Sequence, residues 1–107
     1  MPTGTPVLDL LAKMTADSID ATTLDAETVM LVRIAALASV DAPPVSYLLN
    51  LDAAGELGIG EDEVRGVLAA IAPIIGTARI ASATSSIVQA LAIAIETAEL
   101  EEDGEGA

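Results

Sequence analysis

Ser46 and Asn50 stand four residues apart in "PPVSYLLN", so on a helix their side chains share one face and can hydrogen-bond a ligand lying on it. The bland alternative is a first-turn serine bonded to backbone and an asparagine satisfied in an interface. Tyr47, the sole aromatic residue of the chain, lies beside them. Its phenol can donate a proton, or its ring can pack with the hydroxyl at a subunit contact. Arg33 sits among apolar neighbours in "LVRIA", where a guanidinium is costly unless it meets a carboxylate of another helix or subunit, or a bound anion. Arg79 follows the glycine of "IIGTARI" and can bond the carbonyls ending the fourth helix, pair with an acid across an interface, or hold a ligand. The candidate pocket is therefore Ser46, Tyr47, Asn50, Arg33 and Arg79. It combines neutral hydrogen-bonding groups, aliphatic walls and cationic anchors, a set suited to a small, mostly apolar acid.

The chemistry open to these residues is narrow. The chain has no histidine and no cysteine, so no side chain has an unperturbed pKa near neutrality. Disulfides, thiolate metal sites and thiol-based redox or nucleophilic mechanisms are excluded. A serine nucleophile would have only Lys13 or a carboxylate as base, and nothing places either beside a particular serine. Glu61, Asp62 and Glu63 are consecutive on a helix start and point in different directions. They suit the positive end of a helix better than a divalent metal, so neither a metal nor another cofactor is expected.

Four basic against seventeen acidic residues give a formal charge of −13, which repels nucleic-acid phosphates and anionic lipid. No nucleic-acid or membrane partner is expected. Arg79 is the only charge from Gly66 to Ile95, but Pro73, Gly76 and the polar Ser82, Thr84, Ser85, Ser86 and Gln89 interrupt that run. No clean apolar span of about 20 residues remains. The chain does not open on a charged segment followed by an apolar one, so the cytoplasm is the expected location.

The elements that must position these residues are helices. At 107 residues, 52% apolar and 1% aromatic, the chain is one domain whose core is expected from Ala, Ile, Leu and Val in close helix packing. Residues 1–6 read as an irregular leader rich in Gly and Pro. A first helix over about Val7 to Ala16 presents Val7, Leu10, Leu11 and Met14 at helical spacing and packs on the outside. Asp25 caps a second helix with Leu24, Met30, Leu31, Ile34 and Leu37 on its apolar face. Asp41, Pro43 and Pro44 end it and open a third helix, which runs to about Leu57.

Gly58 suits a left-handed stop, and Gly60 with its three acids opens a fourth helix carrying Val64, Val67, Leu68 and Ile71. A kink or break is expected at Pro73 and Gly76. The last helix carries Ile80, Ile87, Val88, Leu91 and Ile95, with Ala and Ser on its other face. A helix neutral almost all round in so small a chain implies a partner subunit. Residues 7–100 thus form a single all-α domain, a compact bundle of about five helices, and the acidic stretch 101–107 is expected to be a disordered tail.

The helix "LDAETVMLVRIAALASV", the proline turn and the segment "AAGELGIGEDEVRGVLAAIAPIIGTARIASA" resemble the carboxymuconolactone decarboxylase-like family, which includes the alkylhydroperoxidase D type. The resemblance runs from about Leu24 to Ile95 and is strongest in "GIGEDEVRGVL". It implies a helical subunit assembled into trimers or hexamers, with a site near the start of the third helix. Peroxidase-type members carry Cys-x-x-Cys and a histidine there; on this chain those positions fall on Pro43, Ser46 and Asn50. The redox centre is missing. What the resemblance then implies is a non-catalytic oligomeric module for binding or structure. The alternative is a non-redox decarboxylase or isomerase acting on a small carboxylated lactone or aromatic-pathway acid through Arg33, Arg79, Tyr47 and Asn50.

Overall fold

The computed structural model describes the backbone of residues 4–106 and their side chains except those of Ala94 and residues 96–106. The described chain is all helical: α1 Pro6–Ala21, α2 Ala26–Ser39, α3 Pro44–Glu56, α4 Glu61–Ile75 and α5 Thr77–Gly106. Most of the boundaries follow from local chemistry. The Asp25 carboxylate accepts the Thr28 N–H at 2.8 Å, capping α2. That bond to the backbone, with a further contribution from the Thr28 side chain, holds the Asp25 carboxyl below its ordinary value. Pro44 occupies the first turn of α3, where its missing N–H costs nothing. At α4 the Glu63 carboxylate reaches back to accept the Gly60 N–H at 2.8 Å.

Two helices end in the same hydrogen-bonding pattern. After α3, Gly58 at φ 81° donates to the Gly55 carbonyl and Ile59 donates to that of Ala54, both at 3.0 Å. After α2, Asp41 takes the left-handed position at φ 55°, its N–H bonded to Ala38 and that of Ala42 to Leu37. Glycine fits that conformation freely, whereas Asp41 carries a side chain there and needs local support. The hydroxyl of Ser82 on α5 supplies it by donating to the Asp41 carboxylate. Pro73 lies within the last turn of α4, and the break comes at Gly76, at φ 87°, directly before α5.

α2 lies at the centre, against α3, α4 and α5, while α3 also packs on α5. Its Met30, Ile34 and Ala38 recur every four residues and are buried, with Val29 alongside. One core cluster joins Val29 and Met30 to Ala54 and Ile59. Another joins Ala42 and Tyr47 to Ile87 and Ala90. Several expectations need correction. The first helix runs more than a turn beyond its expected end, because Asp17 to Ala21 continue it. Leu24 precedes α2 and stays exposed. On α5 the buried face is the small one, Ala83, Ser86 and Ala90 with Ile87, while Val88, Leu91 and Ile95 face outward. Small side chains let α5 approach α3 closely, which its larger residues would prevent.

Of the expected leader 1–6, Gly4 and Thr5 precede α1, while Pro6 is the first residue of that helix; residues 1–3 lie outside the described ones. The backbone of the expected tail 101–107 continues α5 as far as Gly106. No helix of the described residues is long and apolar enough to cross a membrane.

Candidate functional site

The five candidate residues separate into four places. Tyr47 is a core residue with no exposed surface, packed on Ala42, Ile87 and Ala90. The expected aliphatic core therefore has an aromatic residue at its centre, and the ring is covered by its own subunit. Its hydroxyl is buried without a hydrogen-bond partner among the described residues. Burial first, and then the negative charge of Asp41, pushes the phenol above its ordinary pKa. A phenol held neutral in this way is a poor proton shuttle near neutral pH.

Arg79 lies where α5 passes the end of α2. It donates to the Ser39 carbonyl at 2.8 Å, one of the last carbonyls of α2 and without a partner inside that helix. The expected bond to a helix end is present, but on α2 rather than on the fourth helix. A positive charge at a helix C-terminus is also favoured by the helix dipole. With the Ser82 to Asp41 bond, Arg79 ties the turn between α2 and α3 to the start of α5.

Arg33 and Asn50 come together in an open groove of about 360 Å³ between α1, α2 and α3. Leu11, Met14, Thr15 and Ser18 form its α1 wall, and Ala36 and Leu37 join Arg33 from α2. Arg33 is partly buried as a residue, and its guanidinium donates to the Ser18 hydroxyl at 3.3 Å in an exposed contact. Among the described residues the expected carboxylate of another helix is not there, since none of their ion pairs includes Arg33. The Asn50 amide donates to the Ser46 carbonyl at 3.1 Å, which leaves the Asn50 side-chain oxygen as an acceptor. Ser46 and Asn50 share the helix and the i,i+4 spacing, but only Asn50 reaches the groove wall.

Sequence spacing alone did not indicate the contribution of α1. Leu11, Met14 and Ser18 recur at intervals of three and four, so their common face was legible; its apposition to Arg33 was not. The acids at the start of α4 are engaged locally. Arg65 pairs with Glu61 and lies 3.5 Å from Asp62, and Glu63 caps the helix. No protein-family model, curated protein or solved structure matches the chain.

Proposed function

We propose that this chain is a carboxymuconolactone decarboxylase-like subunit without the thiol redox centre, acting in the cytoplasm as a homo-oligomeric module that binds rather than transforms its ligand. The observation that carries this reading is surface left uncovered by a single subunit.

Much of that surface is apolar and belongs to two helices. On α1, Val7, Leu8, Leu10 and Ile19 are all at least half exposed, and no residue of the helix is buried. On α5, Val88, Leu91, Ile93 and Ile95 face outward. Contiguous faces of this kind suit contact with further copies of the chain, in a trimer or hexamer. The order of helices, the proline turn at Pro43 and Pro44 and the Gly58 stop support the family reading.

The decarboxylase or isomerase alternative needs Arg33, Arg79, Tyr47 and Asn50 around one substrate. The groove includes Arg33 and Asn50 but neither Tyr47 nor Arg79, and Tyr47 is enclosed. The test has two parts. Light scattering at micromolar concentration is expected to give a trimer, hexamer or related oligomer; a stable, monodisperse monomer would sink the assembly. Incubation with carboxymuconolactone or hydroperoxides is expected to give no turnover above buffer, and decarboxylation lost on Tyr47→Phe would establish the enzyme instead.

A further inference from the structure

We infer that the groove between α1, α2 and α3 is a binding site for a small amphipathic carboxylate, with Arg33 as the anchor for the acid group. The inference rests on reading the chain as a binding module, and it assigns a site and a ligand chemistry to that module.

Positive charge is scarce in this chain, and three of its four bases are already engaged. Lys13 pairs with Asp17 at 2.7 Å, Arg65 with Glu61 and Asp62, and Arg79 with the Ser39 carbonyl. Arg33 differs from them. Its one hydrogen bond among the described residues is a 3.3 Å contact to the neutral Ser18 hydroxyl, although a guanidinium offers five N–H donors. Among the described residues no carboxylate meets this partly buried residue, which leaves its planar fork open. That fork matches a carboxylate through two parallel hydrogen bonds, a geometry a lysine does not provide.

The rest of the groove selects the remainder of the ligand. Leu11, Met14 and Leu37 give apolar walls, so a short alkyl or aryl body can cover them while its acid group meets Arg33. The Asn50 side-chain oxygen can accept from a hydroxyl or amide substituent on the ligand. A volume of about 360 Å³ falls at the small end of ligand sites, which span roughly 300–1,000 Å³. α1 is the helix least engaged with the others. Ser18 and Met14 lie on that helix, so ligand binding would also fasten α1 to α2.

The methionines provide the readout. Met14 lines the groove, whereas Met30 is buried in the core, so the intact protein labelled with carbon-13 at its methionine methyl groups carries a reporter and an internal control. Titration with sodium octanoate at pH 7 is expected to move the Met14 methyl signal saturably while that of Met30 stays in place. Octanol at the same concentrations is expected to produce no saturable shift. Arg33→Gln, which leaves the methionine count unchanged, is expected to weaken octanoate binding about tenfold or more, and Arg33→Lys to weaken it less. An unchanged Met30 signal shows that each variant is folded. If Arg33→Gln does not fold, the octanoate and octanol comparison on the unsubstituted protein decides alone.

Equal responses to octanoate and octanol would overturn the carboxylate assignment, as would undiminished binding by a folded Arg33→Gln variant. A Met14 signal insensitive to millimolar octanoate, together with loss of oligomer in Arg33→Gln, would show instead that a carboxylate of a second copy occupies Arg33. Light scattering on the same samples separates the two failures. An intact oligomer without octanoate binding removes the site and spares the assembly, and a monomer that binds octanoate does the reverse.

Discussion

Arg79 and Ser39, forty positions apart, are joined by a 2.8 Å hydrogen bond from guanidinium to carbonyl that closes the C-terminal end of α2. Three residues along α5, Ser82 donates to the carboxylate of Asp41, the residue held at positive φ just past the same helix end. A single face of α5 thus fixes the turn that leads into α3 and its candidate residues. The arginine that a sequence reading offers to a ligand is used in the fold.

This placement gives the first prediction. Arg79→Met is expected to lower stability by about 1 kcal/mol, the usual net worth of one such hydrogen bond, with no change in octanoate affinity. Asp41→Ala is expected to cost about 1–2 kcal/mol, because the left-handed position remains while the Ser82 bond is lost. Urea unfolding measures both, and octanoate binding weakened by Arg79→Met would return Arg79 to the site.

Tyr47 gives a prediction at alkaline pH. Its pKa is raised in the folded protein, so between the unfolded value near 10 and the higher folded value the unfolded chain releases a proton that the native chain retains. The stability contributed is complete below pH 10 and is lost as pH rises through the folded value. As the sole aromatic residue, Tyr47 can be followed by tyrosinate absorbance without interference. Titration is expected above the free phenol and to coincide with unfolding. Tyr47→Phe is expected to remove this alkaline sensitivity and to change neutral-pH stability by less than about 1 kcal/mol, since the hydroxyl forms no bond that would be lost.

Asp25 gives the complementary prediction in acid. Its folded pKa is lowered by the bond from Thr28, so its contribution is present above the unfolded value of 3.8 and is lost as pH falls through the folded one. Thermal melts from pH 6 to 2 are expected to show Asp25→Ala less stable than the parent at the upper end, the two converging at the lower. A gap that persists at pH 2 would mean that the carboxylate cap is not the cause.

The outward face of α1 gives a fourth. Leu10→Glu places a charge on an exposed apolar helix without disturbing a buried contact, so helicity by circular dichroism is expected to be unchanged. If α1 contacts another copy, the same substitution is expected to shift light scattering toward smaller species, each buried leucine being worth about 2 kcal/mol. An unaltered oligomer would place the subunit contacts on α5 instead.

Within the core, Ile34→Ala is expected to cost about 2–5 kcal/mol, as for other large-to-small changes at enclosed positions. Chemical denaturation gives the value, and a cost under 1 kcal/mol would show that α2 is not the central helix in solution.

The sequence by itself determined what is local or a matter of residue type. The Asp25 cap, the proline start of α3, the Gly58 stop and the break at Gly76 depend on groups within a few residues of one another, so each was legible in order along the chain. The lack of cysteine and histidine excluded thiol chemistry before any geometry was known. Tertiary structure decided which face each helix buries and what lies opposite it. The small face of α5 is inside because α3 approaches closely, and Tyr47 fills the space between them, a matter of packing volume that hydrophobic periodicity does not encode. Likewise Arg33 and Arg79 are both arginines near apolar residues, and nothing local distinguishes them. One meets a helix end from forty residues away and the other opens onto a groove under α1, because a guanidinium's role depends on the acceptor brought opposite it by the fold.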